Sequence, residues 1–315
     1  MTVRICLLAL PCLALATARG GDLPPAAEVK PVKLIEVPHY SEGVVFDREG
    51  RGYLSEDRTI WRFTLEGHAE PWATTGAPNG HKILADGTHL VCDASRHAVL
   101  RLSPDGKLLP NAASECDGKP LRGPNDLTLD TAHGGFYFTD PGGSDEQNPI
   151  GTVHYVDAAG NVSLVVGEMA FPNGIVLTPD GKCLYVAESK RNVVRAYPVD
   201  APGKVSPRFD VLRLPEKDES AGQIDNQPDG MCLDAEGNLY VAHFGMHQVQ
   251  VLNPEGRVIR RYEAGTLTTS NVAFGGPNMD QLFVTGALAN EQRSGAVFRL
   301  DLGIPGLLIL PAQTR

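Results

Sequence analysis

The sequence predicts an all-β protein, a six-bladed β-propeller with four-stranded antiparallel blades. Three observations lead there. First, a pattern of polar residue, apolar run, glycine-containing turn and second apolar run occurs six times. Second, the six units start at Glu42, Asn79, Asn125, Asn173, Asp229 and Asn271, and the spacings of 37, 46, 48, 56 and 42 residues centre on the period of a propeller blade. Third, 34 glycines and 24 prolines are scattered as turn punctuation, and no useful length of chain has a helical period.

Each unit can be read strand by strand. The first two strands and their turn are EGVVFDREGRGYLSED, NGHKILADGTHLVCDA, NDLTLDTAHGGFYFTDP, NGIVLTPDGKCLYVAES, DGMCLDAEGNLYVAHF and NVAFGGPNMDQLFVTGA. A third strand follows in each: TIWRFTLEG, AVLRLSPDG, TVHYVDAAG, VVRAYPVDAPG, QVQVLNPEG and AVFRLDLG. Most units add a fourth, such as NVSLVVGE at 161–168 or RVIRRYEAG at 257–265. The sixth has none of its own. Either VKLIEV at 32–37, ahead of the first unit, or GLLIL at 306–310 could close the ring.

The ends and the composition narrow the class. Residues 1–18 read as a cleaved signal peptide: Arg4 supplies a charge, Ile5 to Ala16 are apolar, and Ala16-Thr17-Ala18 has the small residues of a cleavage site. The apolar run is shorter than the roughly 20 residues that span a bilayer. The expectation is a secreted or periplasmic protein, with one propeller domain over 19–315. A formal net charge of −10 argues against a nucleic-acid or anionic-membrane partner. Cys6 and Cys12 leave with the signal. Cys92, Cys183 and Cys232 sit inside apolar strands, where a thiol acts as a small hydrophobe, so these three and Cys116 are expected to be unpaired.

In a propeller the first strand of each blade lines the central channel. The six starting residues would therefore ring one mouth, with the loop at 139–151 and the segment at 215–228 as pocket walls. The ring offers two carboxylates and four amides and no His or Cys. Such hard oxygen donors suit Ca²⁺ or Mg²⁺ better than Zn²⁺, and a channel mouth suits the 6–8 ligands of Ca²⁺ best, with Mg²⁺, Mn²⁺ or Zn²⁺ as alternatives. Asn or Asp before Gly is also ordinary turn chemistry. Glu42 is a poor turn residue, and it weighs for the ring.

The motifs EGVVFD, GPNDLTLD with YFTDP, FPNGIVLTPDGKCLYVAES, PDGMCLDAEGNLYVA and NVAFGG, in that order, resemble the senescence-marker-protein/gluconolactonase family (regucalcin and luciferin-regenerating enzyme among its members). The resemblance runs from about Val32 to about Pro305 and is nearest the bacterial gluconolactonase-like branch. It implies a six-bladed propeller with one divalent cation on the axis, and lactone hydrolysis. Position by position it implies Glu42, Asn173 and Asp229 as metal ligands and Asn125 as a contact to metal or substrate. Animal members carry an Arg two residues before the Asn125 position; here that residue is Gly123, with Arg122 one step further away.

Other residues complete the candidate site. His81 stands where the other units have apolar residues, which fits a hydrogen-bonded core histidine or an auxiliary base. His243 and Asp140 end second strands on the face of the ring and are candidate substrate contacts. Asp126 could hold Asn125 or bind backbone. A GxSxG nucleophile elbow and a phosphate-binding P-loop are both absent from the sequence. The expected function is an exported, metal-dependent hydrolase that opens a small lactone, with Asp229 as general base. The alternatives are a non-catalytic calcium-stabilised binding platform and a strictosidine-synthase-like enzyme.

Overall fold

A computed structural model describes residues 22–217, 226–289 and 294–307. Six antiparallel sheets follow one another along the chain. Blade 1 is Ser41–Phe46, Gly52–Glu56, Thr59–Phe63 and Ala69–Thr74, and blade 2 is Pro78–Ile83, His89–Asp93, Ala98–Leu102 and Leu108–Ala113. Blade 3 is Leu127–Asp130, Gly135–Asp140, Gly151–Val156 and Val162–Met169. Blade 4 is Pro172–Leu177, Cys183–Glu188, Val193–Ala201 and Asp210–Arg213, with Lys204–Val205 as an extra pairing. Blade 5 is Gln227–Leu233, Leu239–Phe244, Gln248–Leu252 and Val258–Glu263. Blade 6 has only Thr268–Gly275, Gln281–Ala287 and Gly295–Asp301 from its own unit.

Its outer strand is Val32–Val37, paired antiparallel with Gly295–Asp301. The N-terminal strand therefore closes the ring. In the rival GLLIL segment Gly306 N donates to Met279 O and Leu307 N to Leu233 O, and residues 308–310 lie outside the described residues. So do the expected signal peptide, residues 218–225 of one expected pocket wall, and residues 290–293. Among the described residues the only helical element is a 3₁₀ turn at Ser189–Arg191, and none is long and apolar enough to cross a membrane. The cysteines are thiols: Cys92, Cys183 and Cys232 are buried in strands, and Cys116 is half-buried in a small hairpin before blade 3.

A strand that packs on both faces must be apolar on both faces, and the inner strands are. Their alternate side chains form six hydrophobic clusters, one per junction between neighbouring blades. Phe46, Phe63 and Phe283 fill the junction of blades 6 and 1; Tyr137, Tyr155 and Tyr197 fill that of blades 3 and 4. The hairpin turns are held by side chains: Asp47, Asp157 and Asp234 each accept backbone N–H bonds from residues two and four positions on.

The closing seam is bonded as well as packed. Ser41 Oγ lies within 3.1 Å of the Gly286 and Ala296 carbonyls and accepts from the Gly286 N–H. Ile35 and Val37 of the closing strand are buried. Burying such side chains contributes roughly 1.5–3 kcal/mol each, and an unpaired inner edge would be left without them. Deleting Val32 to Val37 is expected to lower the melting temperature of the whole domain, and Ile35→Ala to cost about 2–5 kcal/mol in denaturant unfolding. An unchanged melting temperature on deletion would show that closure does not depend on this strand.

Candidate functional site

The mouth of the channel is built by a repeated irregularity. In five blades the pairing of the first two strands shifts register beside the axis: between Glu42 and Val45, Pro78 and His81, Pro172 and Ile175, Pro228 and Met231, and Thr269 and Val272. Such bulges re-aim side chains at the end of a strand. Blade 3 does the same just ahead of its first strand, where Asn125 N donates to Thr139 O and Thr139 N donates to Asp126 O.

These registers place Glu42, Asn79, Asn125, Asn173 and Asp229 at one equivalent position. Blade 6 differs from expectation. Val272, and not Ala273, pairs at the level of Ile175 and Met231, so Ser270 occupies the ring position and Asn271 the next one. The amide of Asn271 drew the sequence alignment one residue too far. That next position is glycine in blades 1, 2, 4 and 5 (Gly43, Gly80, Gly174 and Gly230) and is Asp126 in blade 3 and Asn271 in blade 6. A Cβ on Gly80 would stand 2.3 Å from Asp126 Oδ1, and one on Gly230 would stand 2.4 Å from Asn271 Cγ. Gly80 and Gly230 thus make room at the axis for the side chains of blades 3 and 6, while Gly43 and Gly174 let the Asn79 and Asp229 carbonyls approach.

Hydrogen bonds tie the ring from blade to blade. Ser55 Oγ donates to Asn79 O at 2.7 Å, Gly80 N to Asn125 O at 2.8 Å, and Thr139 Oγ1 to Asn173 O at 2.8 Å. Ser189 Oγ donates to Pro228 O at 2.7 Å and Ser270 Oγ to Ser41 O at 2.6 Å. A second layer anchors the approach to each ring residue. Glu56 takes His39 Nδ1 at 2.6 Å, Asp93 takes Gly76 N and Ala77 N, Asp140 takes Arg122 N and Gly123 N, and Glu188 takes Ala170 N. Asp140 is therefore engaged with backbone, and Arg122 reaches the Ile150 carbonyl at 2.6 Å. His243 stands at the same place in blade 5, fully buried, its Nε2 2.9 Å from Asn192 Oδ1 and its Nδ1 without a partner.

The electrostatics of the mouth are those of charges short of a counter-ion. Burial pushes the Glu42 carboxyl up to about 8, with Asp126 adding repulsion and hydrogen bonds from Tyr40, the Gly43 backbone and Asn271 pulling it down. Asp229 is pushed well above the usual carboxylate range by burial, then by Glu42 and Asp126, against hydrogen bonds from Asn173 and the Gly230 backbone. Burial also raises Asp126, whose Oδ1 accepts Leu127 N at 2.8 Å and which Lys82 pulls back. Glu42 Oε2 and Asn125 Oδ1 at the mouth are buried acceptors without a hydrogen-bond partner.

The structure thus brings Glu42, Asn125, Asp126, Asn173 and Asp229 together. Tyr40 joins them, its hydroxyl donating to Glu42 Oε1 at 3.0 Å. The sequence reading missed it, although an aromatic residue two positions before a ring carboxylate was there to be noticed. His81 is not brought to the ring. It is fully buried between blades 1 and 2, its Nε2 2.7 Å from His89 Nδ1, among Tyr53 and Trp72.

Among the described residues no group of three or more His, Cys, Asp or Glu side chains is spaced to hold a metal ion. A cation here would depend on two carboxylates completed by amides, and the unpartnered Glu42 Oε2 and Asn125 Oδ1 fit that donor set. A cavity of ≈ 640 Å³ lies at the other end of the channel, lined by Phe46, Lys82, Leu129 and Phe274 among others.

Comparison with known proteins agrees with this fold. The chain is 31% identical over 195 residues to the pentonolactonase XacC of Haloferax volcanii, covering 58% of this chain and 63% of that one, so it spans under two thirds of that relative's length. It is 29% identical over 248 residues to the gluconolactonase of Zymomonas mobilis, covering 70% and 68%. Among solved structures, a gluconolactonase from Xanthomonas campestris superimposes with a TM-score of 0.73 at 21% identity over 91% of this chain and 99% of that one. A calcium-binding protein, regucalcin, from Agrobacterium tumefaciens gives 0.71 at 24% identity over 89% and 93%. At these identities the two structures speak for the fold alone. Residues 40–288 match the family described as the SMP-30/Gluconolactonase/LRE-like region, and the chain belongs to that family.

Proposed function

We propose that this protein is an exported, metal-dependent lactonase that opens a small lactone, of sugar-lactone type, at the mouth ringed by Glu42 and Asp229. The observation that carries the reading is the set of buried carboxylates at that mouth, pushed toward protonation and left with unpartnered oxygen acceptors, in a chain of this family. Lactonases among its relatives support the substrate class.

Glu42, Asn125, Asn173 and Asp229 would hold one divalent cation, Ca²⁺ by preference. Bound there, it supplies Lewis-acid polarisation of the lactone carbonyl and charge to balance the developing oxyanion. Asp229 takes the proton of the attacking water. Its burial beside Glu42 and Asp126 raises its proton affinity, the direction a general base requires. The Asn173 side chain beside Asp229 fixes the carboxylate for that transfer. Asn125 would meet the substrate, with Asp126 stiffening it through its bond to Leu127 N, whereas the buried His243, expected from sequence as a substrate contact, would act through Asn192. Asp140 acts from behind, by holding the Arg122–Gly123 backbone ahead of Asn125. We leave His81 out of the proton path, since its bond to His89 keeps it within the blade junction.

The decisive experiment is hydrolysis of a panel of small lactones with chelator, then with each metal restored. Turnover that disappears with chelator and returns with Ca²⁺ is expected. No turnover of any lactone or ester under any metal would favour a binding platform instead.

Asp229→Asn separates ligation from proton transfer, because it keeps an oxygen donor and the shape while removing the base. It is expected to bind metal more weakly and to stay about 10²–10⁴-fold slow at saturating metal. Glu42→Gln should recover most of its rate there. Full recovery of Asp229→Asn would take the base's role from Asp229.

Export is tested by the mature N-terminus. Protein recovered from the periplasm or medium should begin at Arg19 by mass spectrometry. A cytoplasmic product that retains Met1–Ala18 would end the export proposal.

A further inference from the structure

We infer that Tyr40 limits Glu42 to a single oxygen for a bound cation and thereby sets the metal preference of the ring. The inference rests on the metal-dependent reading above and deepens it.

The two oxygens of the Glu42 carboxylate are engaged differently. Oε1 accepts the Tyr40 hydroxyl at 3.0 Å, whereas Oε2 is buried with no hydrogen-bond partner. Tyr40 is itself held in place. Its ring meets Phe244 edge-on, with centroids 6.3 Å apart at 71°, so blade 5 steadies a side chain that serves blade 1. Ser270, at the ring position of blade 6, lies beside the phenol. The next residue in the chain is Ser41, of blade 1, whose hydroxyl is bonded to two carbonyls of blade 6. Tyr40 is therefore fixed by three blades, and its donor is a neutral hydroxyl that can make one such bond.

The consequence differs between ions. Ca²⁺ takes 6–8 oxygens in flexible geometry and readily accepts both oxygens of one carboxylate. Mg²⁺ requires a near-ideal octahedron, into which the narrow bite of a single carboxylate does not fit. Holding Oε1 away costs Ca²⁺ a ligand and costs Mg²⁺ none. The Tyr40 hydroxyl narrows the advantage of Ca²⁺ at this ring. Without it, Glu42 can turn both oxygens to the ion.

The test is titration calorimetry of chelator-treated full-length mature protein with CaCl₂ and with MgCl₂, backed by the thermal shift each ion produces. Tyr40→Phe keeps the ring and its contact with Phe244 and removes only the hydroxyl. Its ratio of Mg²⁺ to Ca²⁺ dissociation constants is expected to rise about tenfold, through tighter Ca²⁺ with Mg²⁺ little changed, as suits loss of a hydrogen bond to a charged group. Tyr40→Leu, which also lacks the hydroxyl, must change the ratio in the same direction. Phe244→Leu, which loosens the packing and leaves the hydroxyl in place, should move both constants together. A ratio unchanged in Tyr40→Phe, or shifted toward Mg²⁺, overturns the role of Tyr40 and leaves the metal site standing. A wild-type protein that binds neither ion overturns both.

Discussion

The axis of this protein depends on how closely one blade can approach the next. Four glycines beside the ring have no room for a Cβ, because backbone or side-chain atoms of the following blade already fill the space. That approach brings carbonyls within reach of serine and threonine hydroxyls from the neighbouring blade. It also brings Glu42, Asp126 and Asp229 near enough to repel one another. Packing and electrostatics are therefore set by the same contacts. A larger residue at Gly80 or Gly230 would push apart the donors that make the mouth useful.

Most of this was legible in the sequence, for a physical reason. A propeller repeats one supersecondary unit, so each unit repeats the pattern that specifies it, and six imperfect copies expose both period and register. Glu42, Asn173 and Asp229 could be placed on the axis without coordinates. What escaped notice depends on differences between units. The bulge of blade 6 lies one residue earlier than side-chain chemistry suggests, so Ser270 and not Asn271 holds the ring position. Asp140 looked like a pocket wall, and only comparison with Glu56, Asp93 and Glu188 shows it gripping the backbone that leads into its own blade. His81 looked available because its neighbour in space, His89, is not its neighbour in the repeat pattern. Tyr40 precedes the first repeat unit, so the comparison of units never reached it.

The charge of the chain takes on a local meaning at the mouth. A net charge of −10 spread over a surface mostly keeps a protein soluble. Three carboxylates in a buried ring do something different. Glu42 and Asp126 raise the proton affinity of Asp229, Asp126 raises that of Glu42, and Lys82 pulls Asp126 the other way. The hydrogen bonds that pull Glu42 and Asp229 back toward ionisation come from Tyr40, Asn173, Asn271 and backbone amides, all neutral groups. Orientation is thus provided by neutral donors while charge balance is left open, as suits a site whose counter-ion arrives from solution.

The closing strand has a consequence for how the molecule is made. Val32–Val37 leaves the ribosome before the first blade, and its partner Gly295–Asp301 emerges only after the first five. Each of the first five blades can form locally from consecutive hairpins, but the sixth joins Val32–Val37 to Gly295–Asp301, a pairing that spans all five of the others. Contacts of this kind form slowly, because the entropy of closing so long a loop must be overcome before they stabilise anything. Until then two inner edges stay open and able to pair with other chains. The nascent propeller is thus most exposed to aggregation just before Gly295–Asp301 emerges, and loss of the sixth blade would leave Val32–Val37 intact and without a partner.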